Sequence, residues 1–401
     1  MADWDVRTKG FDMSGAAFAL TEDQQLLRRE WRRLFEDKFT QRAAEIDRTA
    51  EFPWDNIEVL KSAGLLGLNI PEEFGGGGAD AVTHCVLIEE LARVCASTSL
   101  VPAVNKLPTL PILFVGDDEQ KRRFLPPIAD GTALASYCLT EPGSGSDAAA
   151  MKSRAVRDGD HYVLNGVKRF ITGGGVSKLY VYYAVTDPGA GSRGISAFVL
   201  EDSMPGFQVG KHEDKLGIRG SPTTEIICQD VRVPVANRLG EEGQGFPLAL
   251  RALDHSRVGI GAQAVGIAQG ALDFARGYVE ERHQFDRPIA DFQGIQFMLA
   301  DMAMQLEAAR ALVYTAASKA DRSDGDLTFF AAAAKCFAAD TAMKVTTDAV
   351  QLLGGYGYIR EFPLERMMRD SKVTQIYEGT NQVLRVVMAR RLRQPDHAGR
   401  I

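Results

Sequence analysis

Cysteine is scarce and scattered in this 401-residue chain. Cys85, Cys95, Cys138, Cys228 and Cys336 are odd in number and form no C-x-x-C pair, so neither a disulfide framework nor a zinc site is suggested. The 6 histidines show no ligand spacing, and the chain contains no H-E-x-x-H, no Walker A loop and no G-x-S-x-G elbow. A basic excess is missing too: 46 Lys+Arg stand against 53 Asp+Glu, a formal charge of −7, and nucleic acid is not expected as a partner. Apolar runs are broken by charge well short of the roughly 18 residues a membrane span needs, so no membrane is expected. Met1 to Leu20 carries Asp3, Asp5 and Asp12 and lacks a continuous apolar stretch, which argues against a secretory or transit leader. The expectation is a reducing, cytoplasmic compartment.

What is present has the composition of a globular protein, 45% hydrophobic and 25% charged, and enough length for two or three domains. From Leu20 the pattern is helical. Thr21 and Gln24 have capping-box spacing, and Leu27, Trp31, Leu34 and Phe35 recur at three and four. Helical signals continue over Trp54 to Ala63 and Ala81 to Ala96, punctuated by Pro71 and Gly75 to Gly78, and reach about Gly131. Strand-like segments follow at His161 to Leu164, Leu179 to Val185, Gly194 to Leu200 and Thr224 to Cys228, separated by Asp-Gly, Asn-Gly and Pro-Gly turns. Without helices between them they indicate an antiparallel sheet or barrel and disfavour a doubly wound one. After Pro234, Gly245 to Glu281, Pro288 to Ala320, Leu327 to Leu353 and Pro363 to Leu392 read as long helices, a four-helix bundle. The expected class is therefore multidomain α+β, with a helical domain over 1–132, a central β-barrel or sandwich over 133–238 and a helical bundle over 239–401.

Three motifs invite chemistry. Glu141-Pro-Gly-Ser-Gly-Ser-Asp-Ala148 contains G-x-G-x-x-A, yet strands rather than a crossover helix follow it, so a dinucleotide fold is disfavoured. The same glycines and Ser146 can present backbone N–H groups to an anion, or simply make a tight turn. Asp254-His255-Ser256 resembles a hydrolytic triad written consecutively, but neighbours on a helix point about 100° apart and cannot converge. Gln375 to Gln382 places Glu378 between an aromatic and Gly379-Thr380 before an apolar helix; on spacing alone it reads as a cap or a solvated acid.

Taken in order, these segments resemble the acyl-CoA dehydrogenase family. The likeness rests on Tyr137-Cys-Leu-Thr-Glu-Pro-Gly-Ser-Gly-Ser-Asp147, Asn165-Gly-Val-Lys-Arg-Phe-Ile-Thr172, Glu281-Arg-His-Gln-Phe285, Phe292-Gln-Gly-Ile-Gln-Phe-Met-Leu-Ala300, Gln351-Leu-Leu-Gly-Gly-Tyr-Gly357 and Ile376-Tyr-Glu-Gly-Thr-Asn-Gln382, and it covers Leu20 to Leu392. The nearest likeness is to actinobacterial members of broad acyl-CoA type. The resemblance implies FAD held between the β domain and the bundle, and a homotetramer, a dimer of dimers, in which a neighbouring subunit completes the cofactor site. It implies that Tyr137, Leu139 and Thr140 line the flavin, that Gly145 and Ser146 approach its pyrophosphate, and that Phe170 and Thr172 close its other side. From the neighbour, Arg282, Phe285, Gln351 and Gly355 would meet the cofactor, with Thr380 and Gln382 completing the contacts. Glu378 is implied as the base that removes the substrate α-proton. Ser146, Asp254, Arg257, Tyr377 and Gly379 are implied as substrate contacts, although Asp254 and Arg257 also read as helix-surface charge.

In some branches of the family the base stands on an earlier helix, in the Leu253 to Arg257 region; here Ser256 occupies that position. The chain departs from the family in having Phe170-Ile-Thr-Gly173-Gly-Gly175 where most members have Trp and Asn, which bears on coupling to an electron-transferring flavoprotein. Glu213 matches a position implicated in that docking. An uncharged pocket around Ser99, Ala103 and Val104 disfavours a dicarboxylyl substrate, and Pro102 is expected to bend that helix. Trans-2-enoyl-CoA formation with transfer to that flavoprotein is the principal reading. The alternatives are an accessory subunit of a heteromeric dehydrogenase, or a flavoenzyme acting on a carrier-bound thioester.

Overall fold

A computed structural model describes residues 20–322 and 325–393. The leader reading falls on residues 1–19, which lie outside the described residues. Six helices come first: α1 (Glu22–Phe39), α2 (Ala43–Thr49), α3 (Trp54–Ser62), α4 (Ala81–Val94), α5 (Ala96–Val115) and α6 (Asp118–Ala129). The Thr21 and Gln24 capping box forms in both directions, and Asp80 caps α4 by accepting from the Thr83 N–H at 2.7 Å.

Helix α5 contains the Ser99 to Leu107 helix read from the sequence. It continues through Pro102, Pro108 and Pro111, and Lys106 is its single charged residue. Each proline removes a backbone donor, but the helix is clad by protein nearly all round, and this apolar burial offsets the lost bonds. By length and composition alone α5 could cross a membrane, contrary to the reading of broken apolar runs, yet 78% of that window is buried inside the protein. It is a core helix.

The middle segment holds β1 (Ala135–Cys138), β2 (Arg154–Asp158), β3 (His161–Thr172), β4 (Leu179–Val185), β5 (Ile195–Glu201), β6 (Phe207–His212), β7 (Thr223–Pro234) and β8 (Arg238–Leu239). They form one 8-stranded sheet in the order β6-β7-β3-β2-β4-β5-β8, with β1 on β4. The antiparallel expectation is corrected at β4, which pairs in parallel with β1 and, through Val185, with Arg154 of β2, because β1 arrives from the helical segment instead of through a hairpin. Alternation along β4 serves two cores: Tyr180 and Tyr182 enter the sheet's own interior with Leu164, Phe198 and Ile226, whereas Val181 and Tyr183 face the helices.

The C-terminal segment comprises α7 (Gly245–Glu281), the small ladder β9 (His283–Gln284) with β10 (Arg287–Pro288), α8 (Gln293–Arg322), α9 (Leu327–Leu353), α10 (Leu364–Lys372) and α11 (Asn381–Leu392). Helix α8 begins later than the pattern indicated because Pro288 belongs to the ladder. The stretch from Pro363 to Leu392 is not one helix: Glu378 at φ 51° and Gly379 at φ 101° are left-handed and break it between α10 and α11. That break creates the site described below. Helix α7 runs through the middle, packed on both α4 and α9. At Gly266 an added Cβ would stand 2.2 Å from the Glu89 carbonyl, so only glycine lets α4 come this close.

Candidate active site

Glu378 sits half-buried in the broken segment and faces α7. Its Oε2 accepts from Ser256 Oγ at 2.5 Å, and its backbone carbonyl accepts from Arg257 Nε at 3.0 Å. Arg257, itself buried, is oriented by Asp254 at 2.5 Å, and Asp254 accepts in turn from Thr328 Oγ1 at 2.6 Å. Lys335 on α9 donates to the Gly379 carbonyl at 2.7 Å and to Asn381 Oδ1 at 3.1 Å. Two adjacent left-handed residues would not persist unsupported, and these donors fix their carbonyls. Burial raises the Glu378 carboxyl above the usual range, against the Ser256 hydrogen bond and the charges of Arg257, Lys335 and Lys106. A carboxylate so placed has the character of a general base.

The consecutive Asp254, His255 and Ser256 diverge as helix geometry requires. Ser256 meets Glu378, Asp254 meets Arg257, and the His255 ring packs edge-on to Phe114 at 5.1 Å between centroids, with burial pushing its pKa down to about 4. A cleft of about 580 Å³ beside them is lined by Arg251, Asp254, His255, Arg257, Thr328 and Val387. A larger one of about 1310 Å³ lies elsewhere, where α2, α10 and the 214–219 loop meet around the Arg369–Asp47 ion pair. It shares no group with Glu378.

On the other side of Tyr377, the phenol donates to Gln263 Oε1, while Gln263 Nε2 donates to Ser99 Oγ at 3.0 Å and to the Ala96 carbonyl at 3.3 Å. This chain of bonds links α5, α7 and the Glu378 segment. Ser99, Ala103 and Val104 are uncharged, but Lys106 on the same helix is buried and its charge reaches Glu378.

The β segment contributes a second surface. The Arg169 N–H donates to the Thr140 carbonyl at 2.8 Å, which brings Tyr137, Leu139 and Thr140 alongside Phe170 and Thr172. Tyr137 donates its hydroxyl to the Ala249 carbonyl on α7 at 3.2 Å, and Leu139 is buried. Phe170 is 57% exposed at φ 57°, an apolar ring held outward on a strained backbone. Gly145 and Ser146 are exposed, and a Cβ added at Gly143 or Gly145 would meet nothing within 4 Å. This open glycine turn and the uncovered Phe170 ring fit a flavin with a pyrophosphate tail. At Gly173, φ is 78°, a conformation that the Asn of most family members tolerates less readily than glycine.

Behind that turn lies a pair that sequence reasoning missed. Lys168, fully buried on β3, donates to Glu141 Oε1 at 2.8 Å and to the Leu139 carbonyl at 3.1 Å. Glu141 also accepts from the Lys152 and Ser153 N–H groups at 2.6 and 3.0 Å, so its carboxyl is held below the usual range despite burial. Glu213, read as a lone surface carboxylate, is instead paired with Arg169 at 2.9 Å and Lys211 at 3.1 Å.

Arg282, Phe285, Gln351 and Gly355 are brought to a different surface. Arg282 ends α7 with its guanidinium 5.6 Å from the Tyr356 ring, Phe285 is 86% exposed, and Gln351 and Gly355 are exposed at the end of α9. Among the described residues, no hydrogen bond, ion pair or ring contact joins them to the Glu378 segment. Thr380 caps α11 by accepting from the Val383 N–H at 3.2 Å, and Gln382 is exposed one turn away.

Three family models match the chain in order: the acyl-CoA dehydrogenase N-terminal domain over residues 21–132, its middle domain over 136–231 and its C-terminal domain over 243–393. The chain is 55% identical over 375 residues to a probable acyl-CoA dehydrogenase of Mycobacterium tuberculosis, covering 94% of this chain and 96% of that relative. To the short-chain-specific acyl-CoA dehydrogenase of Clostridium acetobutylicum it is 47% identical, covering 93% of this chain and 98% of the relative. Among solved structures, the butyryl-CoA dehydrogenase of Megasphaera elsdenii superposes with a TM-score of 0.92 at 44% identity, covering 94% of this chain and 100% of that one.

Proposed function

Because this chain belongs to the acyl-CoA dehydrogenase family, FAD-dependent oxidoreductases acting on acyl-CoA, we propose that it converts a short-chain acyl-CoA to the trans-2-enoyl-CoA. The observation that carries this reading is the Glu378 carboxylate, raised in basicity by burial and held by Ser256, on a turn whose backbone carbonyls accept from Arg257 and Lys335. Glu378 takes the α-proton, a step that needs a base matched to a weak carbon acid. FAD, when bound, would supply the hydride-accepting chemistry for the β-hydrogen. Tyr137, Leu139, Thr140, Phe170 and Thr172 would hold its ring, and Gly145 and Ser146 its pyrophosphate. The cleft lined by Arg251, His255 and Arg257 would admit the pantetheine and phosphates of CoA.

The Tyr377, Gln263 and Ser99 bonds support a short acyl chain. Ser256 marks the level of the base, and Gln263 lies two turns further along α7, about 10 Å on. An acyl chain running that way would meet a floor made by these hydrogen bonds, in keeping with the names of the short-chain and butyryl-CoA relatives. In an anaerobic series of straight acyl-CoAs, flavin bleaching should be fastest near four carbons and fall with length; faster bleaching by long chains would refute the floor. The reductive rate should also have an acid limb. The raised Glu378 pKa means that the base form is complete above that pKa and lost as pH falls through it, so a rate flat to below pH 4 would contradict the assignment.

The acceptor we propose is an electron-transferring flavoprotein; a chain in a structure of that protein from Acidaminococcus fermentans is 47% identical to this one, with a TM-score of 0.92. We propose the assembly to be a homotetramer, which would give the exposed Arg282, Phe285, Gln351 and Gly355 a neighbour's cofactor to meet. Arg282→Ala should then lower the FAD content of purified protein with little change in the fold. Unchanged FAD content would remove Arg282 from the cofactor site.

A further inference from the structure

Lys335 is the least expected group near the base. It is fully buried in the Ala-rich helix α9, where a lysine is rare unless paired, and no carboxylate among the described residues contacts its ammonium. Its two acceptors are neutral oxygens: the Gly379 carbonyl at 2.7 Å and Asn381 Oδ1 at 3.1 Å. Asn381 is itself fixed, donating to the Cys336 carbonyl at 3.1 Å and to Asp340 Oδ1 at 2.8 Å. Lys335 therefore ties the left-handed turn to α9 at two points, the residue after the base and the first residue of α11.

We propose that Lys335 is the positioning residue of this reaction, pinning the Glu378 turn to α9 through the Gly379 carbonyl and Asn381 and standing as a buried cation behind the base. The inference rests on Glu378 being the base. It differs from the role of Arg257, which has a carboxylate partner of its own in Asp254. Burial lowers the Lys335 pKa to about 8 and the Glu378 charge counteracts that shift, so the two groups are coupled without touching. The other charged or titratable groups around them are Arg257 on α7, Lys106 on α5, Cys336 and Asp340 on α9, and Tyr137 and Tyr377, the two phenols sensing the Glu378 charge. Loss of one cation from this set moves Glu378 in one direction only, upward.

The test compares wild-type holoenzyme with Lys335→Arg, Lys335→Gln and Lys335→Met, each checked for bound FAD. Two quantities are followed against pH: the rate of flavin bleaching by butyryl-CoA, and the infrared carboxyl band that disappears in Glu378→Gln. Both neutral variants should shift the acid limb and the carboxyl titration to higher pH by about one unit. Lys335→Met, which also loses both tethering bonds, should in addition lower the plateau rate by about tenfold or more, with the Kd for crotonyl-CoA unchanged. Lys335→Arg should keep the wild-type limb. Wild-type titration in both neutral variants would overturn the inference, as would loss of FAD and fold in both while Lys335→Arg stays intact, which would make the lysine merely structural. If the wild-type enzyme itself fails to bleach, it is the dehydrogenase reading that falls.

Discussion

Glu378→Gln is expected to hold FAD and bind acyl-CoA, yet lose the reductive rate by about 10²–10⁴-fold, the usual contribution of a positioned general base. The substitution is nearly isosteric. The amide can still meet Ser256, and the Arg257 and Lys335 bonds go to backbone carbonyls of the turn rather than to the carboxylate, so the geometry should survive. What disappears is the proton acceptor. Because the acyl-CoA should still bind, the loss should fall on the limiting rate of flavin reduction rather than on the Kd. Ser256 cannot substitute, since a hydroxyl is far too weak a base at neutral pH. Turnover within a few-fold of wild type would remove Glu378 from the chemistry.

The second large effect is expected from Lys168→Met. The mutation leaves the Glu141 carboxylate buried with only the Lys152 and Ser153 N–H groups for company, and stranding a buried charge costs about 3–5 kcal/mol. The cost should depend on pH with a definite sign. In the wild type the Glu141 pKa is depressed, so its stabilising contribution is present above the ordinary carboxylate pKa and is lost as pH falls through the depressed value. The stability gap between variant and wild type should accordingly be widest near neutrality and shrink as acid protonates the stranded carboxyl of the variant. Lys168 also holds the Leu139 carbonyl, next to the Thr140 that is tied to the Phe170 edge, and weaker FAD retention should accompany the loss. Denaturant midpoints of the holoenzyme over a pH series check both; an unchanged midpoint at pH 7 would show that the pair contributes nothing.

Much of this architecture is legible in the sequence, because helix α7 and helix α9 announce themselves by periodicity and the strands by alternation and turn chemistry. The places where the pattern misleads have identifiable causes. Residues 363–392 read as one helix because helical spacing continues on both sides of Glu378, and nothing in composition marks a non-glycine residue at φ 51°. The parallel entry of β1 is set by a chain path that no local pattern encodes.

The site divides in the same way. Glu378, Tyr377 and the Gly-Ser turn stand out through family likeness, and the structure brings Glu378, Tyr377, Gly379, Asp254 and Arg257 together on α7 and the broken segment. The supporting groups are silent in sequence. Gln263 and Ser256 are ordinary polar residues until the α7 register points them at Tyr377 and Glu378. Lys168 and Lys335 look like surface lysines; only the flanking Ala-rich run around Lys335, where an exposed helix would carry more charge, hints at its burial.

Glu378 would act as the base beside FAD held on the open surface between Tyr137 and Phe170, so that an acyl thioester is oxidised with the flavin taking the electrons. Anaerobic mixing of the FAD-loaded protein with butyryl-CoA, followed by flavin absorbance, tests it most directly. Rapid bleaching is expected in the wild type and is all but abolished in Glu378→Gln. Full FAD occupancy with no bleaching by butyryl-CoA or any other acyl-CoA, straight or branched, would contradict it.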